Sequence, residues 1–217
     1  GDTMRVLVLH RPGGVLGGDI GVAQDYAAGL RDNGIGAVAR PANDLANLDD
    51  FDIVHMFAAV SPDWGLPAAR AVKSAGKKLV ITPIWWTRRP RLDYYGLGDD
   101  VYPGYTSHVA QTMKLADVLA VRTMSEALQV WQLLPRHRVH VMGCGHNGVE
   151  AETGGKVMDY VLTIGRIEKH KNQHSVAMAC RELLIPYVCV GPVADGPYAE
   201  KVRALGGNLT GARSHAV

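Results

Sequence analysis

Residues 160–172, YVLTIGRIEKHKN, decide the fold, because an apolar run, a glycine and a group of basic side chains follow one another there. A short apolar run is typical of a strand buried in a parallel sheet, so residues 160–165 are predicted to form a strand. Residues 172–184 are predicted to form a helix. The basic side chains therefore lie in a turn between a strand and a helix, where the N–H groups at the helix start attract anions.

The rest of the chain repeats this alternation of strand and helix. Further strands are predicted at residues 5–10, 36–40, 52–56, 78–82, 117–121, 138–142 and 186–190. Further helices are predicted from residue 20 to the stop signal Asn33-Gly34, and at residues 67–74, 109–115, 125–134 and 197–205. Strands that alternate with helices predict an α/β protein with a parallel sheet that has helices on both faces.

A glycine-rich segment marks a domain boundary. Residues 143–156, GCGHNGVEAETGGK, contain five glycines and few side chains that could form a core. We predict two Rossmann-like domains, at residues 4–146 and 157–217, joined by a linker at residues 147–156. The second holds about two and a half βα units, fewer than a free-standing open sheet usually has. We therefore expect an incomplete C-terminal domain: either the chain is a fragment of a longer protein, or a partner such as a second copy covers the open sheet edge.

Composition argues against several classes of protein. The 217 residues are 47% hydrophobic and 20% charged, which is typical of a globular protein. The net charge of +2 is too small to indicate a nucleic-acid partner, and no apolar run approaches the roughly 20 residues of a membrane span. Cys144, Cys180 and Cys189 are an odd number of cysteines without metal-binding spacing. We therefore expect a reduced cytoplasmic protein without a metal site.

A second glycine-rich turn, residues 11–19 (RPGGVLGGD), joins the first predicted strand to the first predicted helix. Ligands bind at the carboxyl ends of strands in open α/β sheets, and Gly17 and Gly18 would let a phosphate approach the backbone. The spacing matches neither the dinucleotide-binding fingerprint nor the P-loop. The alternative is a tight turn with Asp19 as the helix N-cap, and the spacing alone does not decide between the two.

The basic turn offers two different cations to an anion. Arg166 has a planar guanidinium that can bind two phosphate oxygens at once, and Lys171 carries a mobile point charge. Both suit a diphosphate leaving group, because fixed cations stabilise developing negative charge without a metal. The alternative is a solvated charged turn that binds no ligand.

The basic turn also resembles the donor-diphosphate motif of a large enzyme family, the retaining glycosyltransferases of family 4 with the GT-B fold. The resemblance lies in Gly165-Arg166-Ile167, three further residues, and Lys171-Asn172 before a helix. Other segments match the family in the same order along the chain: Gly17-Gly18-Asp19, Asp52-Ile53-Val54-His55, Thr82-Pro83-Ile84-Trp85-Trp86, Ala116-Asp117, Ser125-Glu126, Asn147-Gly148-Val149-Glu150, and Val190-Gly191 with Tyr198.

The resemblance implies an enzyme that moves a sugar from a uridine or guanosine diphosphate sugar to a hydroxyl acceptor, with retention and without a metal. Arg166, Lys171 and Gly165 would bind the donor diphosphate, and Gly17 and Gly18 would approach the donor. The N-terminal domain would hold the acceptor, which is a saccharide, a small molecule, or a lipid-linked molecule at the inner face of the membrane.

One family feature has no counterpart up to residue 217: the Glu-x7-Glu segment that contacts the donor sugar. Two alternatives therefore stay open. One is a GT-B-like epimerase, and the other is a truncated, non-catalytic domain that binds a nucleotide or a partner.

Single residues supply further candidates. His55 ends a predicted strand and His108 lies at the start of a predicted helix, and either could act on a hydroxyl group. The alternative for both is a structural histidine. Aromatic side chains stack on sugar faces, so residues 85–105 are a candidate acceptor platform, with loop packing as the alternative. Its aromatic candidates are Trp85, Trp86, Tyr94 and Tyr95.

Overall fold

Two units make up the chain, Gly1–Val149 and Glu150–Val217, and each is described by itself. The computed structural model describes residues 3–13, 18–57, 63–84, 105–143 and 158–212. The predicted linker at residues 147–156 lies outside these ranges, and so does most of the aromatic stretch, residues 85–104.

The first unit contains a sheet of parallel strands with the order β2-β1-β3-β4-β5-β6. These strands are β1 (Arg5–His10), β2 (Gly36–Pro41), β3 (Ile53–Phe57), β4 (Lys78–Thr82), β5 (Val118–Val121) and β6 (Val139–Val141). The first strand is internal, because it pairs with β2 on one side and with β3 on the other. The chain therefore reverses its direction of growth at β1, and such a switch point is where open α/β sheets bind ligands.

Helices cover both faces of this sheet. They are α1 (Gly18–Asp32), α2 (Gly65–Ser74), α3 (Tyr105–Lys114) and α4 (Met124–Leu133), and a short 3-10 helix, Leu48–Asp50, precedes β3. Ala23 of α1 packs with Val6 and Val8 on one face, whereas the other three helices pack with Leu7 and Leu9 on the opposite face. Successive strand residues point to opposite faces, so β1 buries a continuous run of apolar side chains.

Two aspartates connect neighbouring strands at their amino ends. The Asp52 carboxylate accepts a hydrogen bond from the Arg5 backbone N–H at 2.8 Å, just before β3 begins. The Asp117 carboxylate accepts from the Leu79 N–H at 2.7 Å and from the Lys73 ammonium at 2.8 Å. Both aspartates belong to segments that resemble glycosyltransferase motifs, and in this structure both hold strands together.

The second unit contains parallel strands paired in sequence order. They are β7 (Val161–Ile164), β8 (Tyr187–Val190) and β9 (Gly207–Leu209). Their connections are a 3-10 helix, Lys169–Lys171, followed by α5 (Gln173–Glu182), and then α6 (Gly196–Ala204). Crossovers between parallel strands are right-handed in nearly all proteins, so two crossovers that advance in the same direction place both helices on the same face.

The second sheet has one face that is exposed at β7. Ala177 of α5 and Val202 of α6 share one core with Cys189 of β8. On the opposite face of β7, Leu162 is 45% exposed and Ile164 is 79% exposed. The predicted helices on both faces are therefore present on the first sheet, whereas in the described part of the chain the second sheet has both of its helices in one core.

The predicted fold class, α/β with parallel sheets, is confirmed, and most predicted elements are present with ends that differ by one or two residues. The largest difference is at α3, which begins at Tyr105 rather than at residue 109. Its first turn, YTSH, has no apolar periodicity that would reveal a helix. No helix in the described ranges combines the length and the hydropathy that crossing a bilayer requires.

Candidate functional site

Two glycines meet where β7 and β8 end. Gly165 has a φ of 146° and Gly191 a φ of 150°, conformations that residues with side chains rarely adopt. A Cβ atom on Gly191 would lie 2.0 Å from the Gly165 carbonyl oxygen, so the two backbones are in direct contact. The basic turn therefore starts at a fixed point on the carboxyl edge of the sheet, with a residue that has no side chain to obstruct a ligand.

Ile167 anchors the same turn in the core of the second unit. Its side chain is 1% exposed. Its N–H donates to the Pro192 carbonyl at 2.9 Å, and its own carbonyl accepts from the N–H groups of Ala194 and Asp195 at 3.1 and 3.2 Å. These contacts hold the backbone on both sides of Ile167, and that backbone carries the charged residues of the turn.

Glu168 contacts two basic residues of the turn. Its Oε1 atom lies 3.1 Å from Nη2 of Arg166 and 3.4 Å from Nδ1 of His170. The Glu168 side chain is 10% exposed, whereas the Arg166 side chain is 45% exposed. The Arg166 side chain therefore reaches solvent while the carboxylate beside it is covered.

The start of α5 is bonded to the turn and to α6. Gln173 Nε2 donates to the Arg166 carbonyl at 2.8 Å, and Asn172 adopts a left-handed conformation with a φ of 56°. The His174 N–H donates to the Tyr198 hydroxyl at 2.9 Å. Because this N–H already has an acceptor, an anion would meet the side-chain cations rather than the full set of N–H groups that a helix start can offer.

Lys171 completes the basic turn. Its side chain is exposed and pairs with no carboxylate in the described part of the chain, while its N–H donates to the Glu168 carbonyl at 3.0 Å. The predicted cations Arg166 and Lys171 thus lie in one segment between β7 and α5. Sequence reasoning assigned no role to Glu168, although a single acid within a run of basic residues beside an apolar anchor was a signal for a buried ion pair.

His55 lies in the core of the first unit. It is 3% exposed, its Nε2 lies 2.8 Å from the Thr82 hydroxyl, and its ring packs against Tyr26 and Phe57 at centroid distances of 4.9 and 4.5 Å. Burial lowers the pKa of His55 to about 3, so the ring is neutral. This geometry favours the structural alternative for His55.

The remaining candidates are less well defined. His108 is half-buried in the first turn of α3, and its carbonyl accepts a hydrogen bond from the Thr112 hydroxyl at 3.0 Å. Gly18 is the first residue of α1. Gly17 and the predicted acceptor residues Trp85, Trp86, Tyr94 and Tyr95 lie outside the described residues, so their roles stay predictions.

An open groove of about 550 Å³ lies in the first unit. Its lining consists of Lys114, Leu133, Leu134, Pro135, Arg136 and His137. Lys114 is the last residue of α3 and Arg136 follows the end of α4, positions where positive charge balances the helix carbonyl dipoles. The His137 carbonyl also accepts the Trp131 indole N–H at 3.3 Å. These residues therefore have a structural explanation and suggest no ligand.

Neither a metal site nor a known relative assigns a function to these residues. The described residues hold no group of three or more His, Cys, Asp or Glu side chains that could bind a metal ion. No protein-family model matches the chain, and no curated protein is significantly similar to it.

Proposed function

We propose that this chain is a glycosyltransferase that moves a sugar from a nucleotide diphosphate sugar to a hydroxyl acceptor. The observation that carries the proposal is the basic turn of the second unit, in which Arg166 and Lys171 follow a strand end and precede α5. The order of motifs along the chain supports it, because that order resembles the GT-B glycosyltransferases of family 4.

The chemistry explains why such a turn suits this reaction. When the bond between sugar and diphosphate breaks, negative charge develops on the departing oxygen. The Arg166 guanidinium can donate two N–H groups to phosphate oxygens, and the Lys171 ammonium supplies a second positive charge. Cations that are already in position stabilise that charge without a metal and without reorganisation during the reaction.

The position of the turn supports diphosphate binding as well. Ligands of open α/β sheets bind outside the carboxyl ends of the strands. Gly165 stands at this edge, and nothing lies within 4 Å of the position that a Cβ atom on it would take, so a ligand can approach the backbone closely. The burial of Ile167 and the hydrogen bond from Gln173 hold the turn in one conformation, so little ordering would be needed when a ligand binds.

The acceptor side of the proposal rests on the resemblance alone. We propose that Gly17 and Gly18 approach the donor, and that Trp85, Trp86, Tyr94 and Tyr95 stack on a saccharide, lipid-linked or small-molecule acceptor. The reaction would proceed with retention of configuration. A second copy of the chain is the proposed partner at the open edge of the second sheet, where β9 pairs only with β8 among the described strands.

Nucleotide binding is the first test. Calorimetric titration with uridine and guanosine diphosphate should give a measurable dissociation constant for at least one of them. Arg166→Ala and Lys171→Ala should each weaken that binding roughly tenfold or more, the usual cost of a lost charge-assisted hydrogen bond. Lys201→Ala is the matched control. Lys201 is exposed in the last turn of α6, and its substitution removes the same charge. Unchanged affinity in both site variants would refute the assignment of the turn.

Turnover separates the proposal from its alternatives. A glycosyltransferase releases nucleoside diphosphate faster when an acceptor is present, and the product is a new glycoside. An epimerase changes the configuration of the sugar without needing an acceptor. Binding without any product would indicate a non-catalytic nucleotide-binding domain and would overturn the transferase proposal.

A further inference from the structure

The proposed function leaves one charged residue of the turn without a role. Glu168 is an acid with a 10% exposed side chain, placed in the middle of a proposed anion site. A buried carboxylate is costly unless cations or donors compensate it. It would also repel a phosphate, so its presence in this turn calls for a reason.

The contacts of Glu168 suggest that reason. Its Oε1 atom lies at ion-pair distance from both Arg166 and His170, at 3.1 and 3.4 Å. The same atom makes no aligned hydrogen bond. The carboxylate therefore attracts the guanidinium while the N–H groups of Arg166 stay available to a ligand.

We propose that Glu168 is a positioning residue that fixes the Arg166 guanidinium for the diphosphate of the donor. This inference rests on the proposed function, because it assigns a role within the same site. Glu168 acts through Arg166 and does not contact the ligand. Its backbone is held by the anchored Ile167 on one side and by the Lys171 N–H on its carbonyl, so the carboxylate has a rigid support.

The expected benefit is pre-organisation. A long side chain loses rotamer freedom when it binds, and an arginine that is already oriented loses less. Arg203 provides an internal comparison, because its side chain is 46% exposed, close to the 45% of Arg166. Arg203 pairs with Glu200, whose side chain is 71% exposed, whereas Arg166 pairs with a covered carboxylate.

A double-mutant cycle tests the inference on the full chain. Affinity for uridine or guanosine diphosphate is measured for wild type, Glu168→Gln, Arg166→Ala and the double variant. Glu168→Gln should weaken binding about three- to tenfold. This is the scale of the entropy cost of ordering one side chain that is no longer held before the ligand binds. In the Arg166→Ala background the same change should have no effect. In the Lys171→Ala background the full effect of Glu168→Gln should persist. A purely structural role in folding would instead weaken binding in the Arg166→Ala background as well.

Each outcome decides between the two claims. If wild type binds neither nucleotide, the proposed function fails and this inference fails with it. If wild type binds and Arg166→Ala weakens binding, but Glu168→Gln binds equally or more tightly, only the positioning role is overturned. The positioning role is also overturned if Glu168→Gln weakens nucleotide binding by the same factor in wild type and in the Arg166→Ala variant.

A measurement on the unmodified protein covers the case in which Glu168→Gln does not fold. Nuclear magnetic resonance of the arginine side chains reports how ordered each guanidinium group is. Arg166 should have a clearly higher side-chain order parameter than Arg203 before any nucleotide is added. Equal mobility of the two groups would contradict the positioning role.

Discussion

The two sheets follow the same strand–helix plan but cover their strands differently. In β1, Leu7 and Val8 point to opposite faces and both are 0% exposed. In β7, the side chains on one face contact a core, whereas Ile164 on the other face is 79% exposed. The difference follows from strand order: the first sheet grows in both directions from β1, whereas the described strands of the second follow one direction.

This difference determines what holds the candidate site in place. The second sheet has helices on one face only in the described residues, so the basic turn is held by local contacts. These are the approach of Gly165 to Gly191 and the burial of Ile167. The comparison therefore predicts that the two units respond differently to acid, to truncation of strand side chains and to changes at the glycines.

Acid should destabilise the first unit most. An unfolded histidine binds a proton below about pH 6.5, whereas His55 in the folded unit does so only near pH 3, because burial lowers its pKa to about 3. Between these values the unfolded state binds one more proton, so stability falls as pH falls, by roughly 4 kcal/mol over the window. All four tryptophans precede residue 150, so tryptophan fluorescence reports on this unit. His55→Gln should remove this part of the pH dependence, and an unchanged slope would contradict the assignment.

Matched leucine truncations compare the two sheets directly. Leu9 is 0% exposed and Leu162 is 45% exposed. Leu9→Ala should cost about 2–5 kcal/mol of unfolding free energy, because it leaves a cavity between the sheet and its helices. Leu162→Ala should cost less than about 1 kcal/mol, because solvent already reaches that side chain. Denaturant titrations followed by fluorescence for the first unit and by hydrogen exchange for the second give both values. Equal costs would show that the second sheet is covered.

Two glycine substitutions test the contact at the carboxyl edge of the second sheet. Gly191→Ala places a Cβ atom 2.0 Å from the Gly165 carbonyl and requires an unfavourable φ of 150°. We expect a loss of about 2–3 kcal/mol in the stability of that unit. Gly196→Ala is the control, because nothing lies within 4 Å of the added atom and its φ is not in the left-handed range. Hydrogen exchange of the β8 amides measures the loss of stability in both variants, and equal losses would argue against a close contact.

Helix caps should show the smallest effect and the least difference between units. Thr123 caps α4 by accepting from the Glu126 N–H at 3.1 Å, and Asp195 caps α6 by accepting from the Tyr198 N–H at 3.0 Å. Substitution of either by alanine should cost about 1 kcal/mol, because a cap acts on its own helix end. Thermal unfolding of the two variants checks this. A much larger loss at Asp195 would indicate that the cap also supports the basic turn.

Much of the fold could be predicted because its signals are local. The apolar run at residues 5–10 and the alternation of strands and helices require only short-range periodicity. The helix start at Tyr105 was missed because its first turn lacks that periodicity. The exposed face of β7 was missed for another reason: the run VLTI is as apolar as a strand buried on both faces.

Part of the candidate site could also be predicted. Arg166 and Lys171 lie in one turn between a strand and a helix, as the sequence predicts, since the two are close in sequence. The contact of Glu168 with Arg166 depends on which side chain is buried, and burial follows from packing of the whole unit. The Tyr198 hydroxyl reaches the His174 N–H across 24 residues, and no local pattern indicates such a bond.

The sequence by itself determined the α/β class, the positions of most strands and helices, and the placement of two cations on the turn after β7, because periodicity and turn residues act over a few residues. Only the tertiary structure decided that helices cover both faces of one sheet and, in the part of the chain that the structure describes, one face of the other. It also decided that His55 is a neutral core residue and that Glu168 lies covered beside Arg166. These outcomes depend on strand order and on contacts between distant segments of the chain. Such contacts form only when the whole unit folds, because burial and charge pairing then determine which side chains meet.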